Sequence, residues 1–300
     1  MANLKEVRLR ITSVNSTQQI TKAMKMVSAA KLRRAQDAVI RMRPYANKLR
    51  EILENLSGSV DASEGGAYAT VRPANHILLV AITSNRGLAG AFNATIIRTV
   101  NRLLAEEYPE QAKGNKSEGS GKSVKVLCLG KKASDTFSKI KSLYAGNHNH
   151  IYAELNFEKA APIAEEIMND FSAGKYDRVI LVYNQFKNAA VQVVQTEQML
   201  PITPAAKTES KKQLNDYIFE PGKEELVREL IPKSLKTQLY KALLDSHASE
   251  HGARMTAMSK ATDNAGELIK SLRLQYNKAR QAAITGEILE IVGGAEALKG

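Results

Sequence analysis

From Ser234, just after Pro232, to about Val292 the chain contains no proline. Small and apolar residues recur there at three- and four-residue steps: Leu235, Leu239, Ala242, Ser246, Ala253, Ala257, Ala261, Leu268, Leu272, Tyr276, Ala279 and Ala283. That spacing marks one face of an α-helix. Such a helix runs roughly 85–90 Å at 1.5 Å per residue, more than an ordinary globular domain encloses. It needs a partner, and the other end of the chain supplies one. No glycine occurs before Gly58; Leu4, Val7, Ile11 and Val14 follow heptad spacing, and Ile20, Met24 and Val27 continue the stripe after a slip in phase. Pro44 is expected to bend or interrupt this first helix. The two ends therefore read as an antiparallel coiled coil. Its seam carries Ala and Ser near the middle of the last helix, residues that allow close approach but bury little apolar area each. The result is a slim rod suited to being gripped from outside.

Between the helices, strand-like and helix-like runs alternate. HILLVAI (76–82), VKVLCLG (124–130) and RVILVYN (178–184) are buried-strand candidates, with helices at NATIIRTVNRLLAEEY (93–108) and APIAEEIMNDFSAG (161–174). VQVVQT (191–196) reads as a last strand, hairpin-paired with RVILVYN across QFKNAA. Alternation of this kind implies a largely parallel sheet. SGSVDASEGGAYATVRP (57–73) is a linker by composition, and KTESKKQLNDYIFEPGKEE (207–225) separates the middle from the last helix. The expected division is a coiled-coil helix over 1–57, an α/β domain over 74–205 and a second coiled-coil helix over 223–300. The fold class is α/β, an antiparallel coiled coil of the terminal helices with that domain inserted.

Charge is unevenly placed. Net charge is +12, and the first 50 residues hold twelve Lys or Arg against only Glu6 and Asp37. A basic patch suits nucleic acid, an anionic membrane surface or an acidic protein. KAMKMVSAAKLRRAQ interleaves its charges with Met, Val and Ala and has no stacking aromatics, which favours a solvated face or an acidic protein over nucleic acid. One cysteine, Cys128, excludes an internal disulfide and suits a reducing compartment. MANLKEVRLRI is too charged for a signal peptide, and no apolar run approaches membrane-spanning length.

The motifs that suggest chemistry fail on context. GNKSEGSGKS (114–123) ends like a phosphate-binding loop but has Lys116 where the first glycine belongs, and it precedes a strand rather than a helix. A flexible surface loop is the plainer reading. SNRGLAGAFN (84–93) lies between strand and helix, yet only Gly87 and Gly90 match the dinucleotide fingerprint; a tight turn, and a docking surface, fits better. HASEH (247–251) could place His247 and His251 on zinc with Glu250 as base. The third ligand is missing, since Glu267 lies roughly 24 Å and Glu287 roughly 54 Å along the same helix. Solvated histidines on an exposed face are expected instead, and HNH (148–150) is expected to be a loop. No catalytic residue, metal site or cofactor site is assigned.

ITKAMKMVSAAKLRRAQ (20–36) and SEHGARMTAMSKATDNAGELIKSLRLQYNKARQAAITGEILEIVGGAEAL (249–298) resemble the gamma-subunit family of the F-type ATP synthases. The middle resembles it through position, strand order and SNRGLAGAFN, where this chain has Ala89 and Ala91 and the family more often has a run richer in Gly with a Cys. The resemblance implies a non-catalytic rotor with a Rossmann-like α/β base domain over 74–205. Its coiled coil enters a hexamer of three alpha and three beta subunits, which carry the nucleotide sites. Its base docks on the epsilon subunit and the ring of c subunits. Ion flow turns ring and stalk, driving the beta subunits through different nucleotide affinities. The resemblance further implies partner contacts at Met24, Lys25, Arg33, Arg34, Arg254, Arg280, Gln281 and Thr285, with no nucleic acid and no cofactor. Membrane association is through the complex alone, on the cytoplasmic face of the bacterial inner membrane. A nucleic-acid-binding coiled coil and a zinc hydrolase at HASEH are the rival readings.

Overall fold

The computed structural model describes residues 4–57, 68–115, 121–202 and 223–297. Most of the expected linker 57–73, part of GNKSEGSGKS and most of 207–225 lie outside them. Helix α1 spans Leu4–Ser57 and carries Pro44 without a break, so the expected interruption does not occur. The ring costs the helix one backbone bond, which the remaining turns tolerate. The chain then runs through β1 (His76–Ile82), α2 (Phe92–Arg102), a π-helical turn (Leu103–Glu107), α3 (Pro109–Gly114) and β2 (Ser123–Leu129). It continues through α4 (Lys131–Phe137), β3 (Tyr144–Asn147), a short 3-10 turn (Asn149–Ala153), α5 (Phe157–Ser172), β4 (Arg178–Phe186) and β5 (Gln192–Leu200). Helix α6, Lys223–Ala297, is 75 residues long and starts ahead of Pro232, further back than the proline-free stretch indicates.

The chain divides into two compact units. One joins the first 29 residues to those from Arg254 onward, and the other is Ala30–Ala253. The second holds a five-stranded sheet in the order β3-β2-β1-β4-β5. Its first four strands run parallel and β5 returns antiparallel to β4, as the hairpin reading expects. β1 reads as a continuous apolar run because both faces of the sheet are covered. Leu78, Val80 and Ile82 face α5 and the α6 residues Ile231, Leu235 and Leu239. Ile77, Leu79 and Ala81 face α2 and α4, where Ile96, Val100 and Phe137 close the second core. α5 is started by Asn156, whose side chain accepts from the Lys159 amide.

With β1 and β4 adjacent and their connections leaving on opposite sides, the topological switch point lies at the C-terminal ends of these strands. A doubly wound sheet takes a ligand in that crevice.

Candidate functional site

The crevice is filled by the chain itself. The β1–α2 turn passes through Leu88 (φ 62°) and Gly90 (φ 58°), which seats Ala89 and Phe92 against Ala253 of α6. One turn back, Ser249 Oγ donates to the Asn184 carbonyl at 3.0 Å, and Asn184 Nδ2 donates to the Phe92 carbonyl at 3.2 Å. Gly252 faces the β4–β5 turn so closely that a Cβ there would meet the Ala189 carbonyl at 3.2 Å. SNRGLAGAFN is therefore a tight strand-to-helix turn, and what packs on it is α6.

HASEH lies on the same stretch and is not a solvated face. His251 is 4% and Glu250 7% exposed, and the His247 ring stacks on Tyr152 at 6.1 Å and meets His251 edge-on at 4.5 Å. Helical periodicity places these residues on one face but does not say which face the domain covers, hence the misreading. Burial, and next the Glu250 charge, hold the Tyr152 hydroxyl well above its ordinary range. Among the described residues no group of three His, Cys, Asp or Glu side chains could hold a metal ion. HNH is not a plain loop either: Asn149 opens the 3-10 turn, and His148 Nε2 lies 3.1 Å from Glu166 Oε2. Gly121 (φ 62°) ends the near-miss phosphate loop, and Lys122 pairs with Glu110. Cys128 is buried in the sheet, which pushes its thiol up to about 12.

In the first unit the two helices run antiparallel, since rising numbers on α1 meet falling numbers on α6. Gln18 Nε2 donates to the Thr262 carbonyl (3.3 Å), Thr262 Oγ1 meets Thr21 Oγ1 (2.8 Å), and Lys25 Nζ donates to Ser259 Oγ (3.0 Å). Gly266 leaves room for Gln18, whose Nε2 a Cβ there would meet at 3.0 Å. The α1 heptad thus has no slip in phase: it continues from Val14 through Gln18, Thr21, Lys25 and Ser28 in strict three- and four-residue steps. Ile20 and Val27, expected on the seam, are 60% and 57% exposed. Polar residues occupy the seam there, so a hydrophobic stripe could not follow it. On α6 the seam uses Met258, Ala265, Ile269 and Leu272, while Leu268 is 41% exposed.

Of the expected contact residues, Met24 is half-buried and Lys25, Arg33 and Arg34 are exposed on α1. Arg254 is only 7% exposed. Arg280, Gln281 and Thr285 are exposed on α6, where Thr285 Oγ1 donates to the Gln281 carbonyl at 2.9 Å. Arg254 and Arg280 stand 26 residues apart on one helix, about 39 Å, too far to share one contact. The seam residues Gln18, Thr21, Ser28, Ser259, Thr262 and Gly266 were missed. The signal was available in the seven-residue spacing that starts at Leu4 and Val7. Beyond Ala283, α6 exposes Ile284, Ile288, Leu289, Ile291 and Val292, a larger apolar surface than a helix end needs in water. No helix is long and apolar enough to cross a membrane, among the described residues.

The model of the ATP synthase family matches residues 3–298. The chain belongs to that family. Among its relatives, the ATP synthase gamma chain of Flavobacterium johnsoniae is 59% identical over 300 residues and the whole of both chains. The gamma chain of Cytophaga hutchinsonii is 54% identical over 99% of each. Among solved structures, the Euglena gracilis mitochondrial ATP synthase (OSCP/F1/c-ring) has a chain 25% identical with a TM-score of 0.70, covering 98% of this chain and 94% of that one. One in the central stalk and c-ring of the Tetrahymena thermophila mitochondrial enzyme is 29% identical with a TM-score of 0.58, covering 81% of this chain and 99% of that one. The family reading of the sequence stands: this is a gamma subunit, of the central-stalk kind.

Proposed function

We propose that the chain is a non-catalytic shaft that couples ion flow through a ring of c subunits to nucleotide exchange in a hexamer of three alpha and three beta subunits, with epsilon at its base. The observation that carries this reading is the end-to-end match to gamma chains at 54–59% identity. The filled crevice supports it, because the usual ligand position of the sheet is taken by α6, which leaves nucleotide chemistry to the beta subunits.

The mechanism is differential contact. A rotor that touches open and closed beta subunits differently shifts their equilibrium by that difference, and a symmetric one shifts nothing. Lys25, Arg33 and Arg34, with half-buried Met24, offer cationic contacts on several sides of α1, and Arg280, Gln281 and Thr285 offer a polar station on α6, with Arg254 a second, largely buried one, to acidic loops of the beta subunits. Long-range charge attraction tolerates sliding better than fixed hydrogen bonds do, while an Arg fork holds a carboxylate at each resting position. The apolar end of α6 seats in a sleeve of the hexamer. The working parts are the helix 1–57, the base 74–205 and the helix 223–300, and the complex holds the chain on the cytoplasmic face of the bacterial inner membrane.

Purified chain should hydrolyse no ATP, and its addition to alpha and beta subunits should yield a stable, active complex. Hydrolysis by the chain alone, or a hexamer indifferent to it, would remove the proposal.

A further inference from the structure

Arg43 stands one residue before Pro44, in the part of α1 that belongs to the second unit. Proline has no N–H to give to the Ile40 carbonyl, so α1 is weakest at this turn. At the same turn Arg43 Nη2 donates to the carbonyl of Phe186, the last residue of β4, at 3.2 Å. The same nitrogen lies 3.6 Å from Asp245 Oδ1 on α6. One guanidinium therefore joins α1, the sheet and α6.

Asp245 is 1% exposed. The charged groups facing it are Arg43 from α1, Lys241 on α6 itself and Glu197 from β5. Glu197 is engaged elsewhere: it accepts from the Tyr183 hydroxyl and from Gln238 Nε2, both at 2.8 Å. Arg43 is thus the cation that reaches Asp245 from another element. A buried carboxylate is a poor stabiliser, since well-packed apolar residues in its place often give a more stable fold. What fixes one placement of the helix is the 3.2 Å hydrogen bond to the Phe186 carbonyl, and the Asp245 charge, 3.6 Å away, holds the guanidinium there.

We propose that Asp245, acting through Arg43, is a positioning residue that makes α1 turn with α6 and the sheet as one body, so that torque entering the base reaches both helices. This rests on the rotor reading. Asp245→Asn, Arg43→Ala and Arg43→Lys would each be assembled into the complete synthase in sealed vesicles, measuring ATP hydrolysis, ion pumping per ATP and the melting temperature of the free chain. Asp245→Asn should assemble, hydrolyse ATP at the wild-type rate and melt no lower than wild type, yet pump about threefold fewer ions per ATP. Arg43→Ala should lose as much, and Arg43→Lys should recover part of it. Wild-type pumping per ATP in Asp245→Asn, or a loss that tracks poor assembly or lower melting, overturns the pin. Failure of the wild-type chain to assemble with alpha and beta subunits overturns the rotor reading itself, and is seen before any variant is compared.

Discussion

The Thr21–Thr262 pair allows a test that separates a shared hydrogen bond from two independent ones. Each hydroxyl carries one proton. Thr21 Oγ1 donates to the Gln18 carbonyl at 2.9 Å, which leaves its lone pairs for Thr262 Oγ1 at 2.8 Å. Gln18 Nε2 closes the ring on the Thr262 carbonyl. Replacing Thr21 with Val keeps the shape and removes the acceptor. Thr262 still has the Met258 carbonyl within 2.8 Å, so the cost is that of one neutral hydrogen bond, about 1 kcal/mol. With both residues changed to Val, no polar group is stranded, and the double variant should lie near wild type. Two single costs of about 1 kcal/mol, each roughly fivefold in a local opening constant, against a double cost near zero give a coupling of about 2 kcal/mol. Hydrogen exchange over residues 14–28 and 255–270 reads this directly. Exchange should be about fivefold faster in each single variant and within about twofold of wild type in the double. Equal and additive effects would show that the two hydroxyls do not share a bond and that the seam is not a connected network.

Gly130→Ala should be far more damaging. Gly130 has φ 127°, and an added Cβ would lie 2.1 Å from the Thr83 carbonyl oxygen, breaking the turn that also holds the Ala133 amide on Thr83 Oγ1. Backbone strain plus a lost buried bond predicts about 3–5 kcal/mol, read as a lower urea midpoint. Burial raises the Asp245 carboxyl above its ordinary value, against the opposing charges of Arg43 and Lys241. The folded chain then takes up this proton before the unfolded chain does, so stability falls as pH rises through the raised value. Asp245→Asn should accordingly gain on wild type above the raised value, and the gap should narrow as pH falls through it, read as urea midpoints across pH. Arg280→Ala and Gln281→Ala should weaken ATP-driven pumping without lowering the melting temperature, since both side chains are exposed; normal pumping in both would remove them from the contact set.

The architecture was legible because its signals are strong: two long helical periods at the ends and near-continuous apolar strands between them. β3 was not legible. YAGN is a four-residue edge strand with a glycine, too short to show alternation. Pro44 was expected to bend or interrupt α1, yet the helix continues through it, as α6 does through Pro232, because a single missing bond is outweighed by packing along so many turns. The seam failed for a different reason. Gln18, Thr21 and Ser28 follow the spacing of Val7 and Val14 but not their chemistry, and tracking hydrophobicity led to Ile20 and Val27 on the outer face. HASEH failed in the opposite sense: polar residues suggested solvent, and the domain buries them against Tyr152. Lys25 and Thr285 were named through the family resemblance; spacing alone does not distinguish them from other polar residues on the same helices.

The central claim is that this chain turns. Cys128 is fully buried, so a cysteine placed at exposed Lys139 can carry a visible label without competition. With the alpha–beta hexamer fixed to a surface and ATP supplied, the label should rotate in one direction, pausing at three positions per turn. ATP hydrolysis at a normal rate beneath a label that stays fixed would contradict the account.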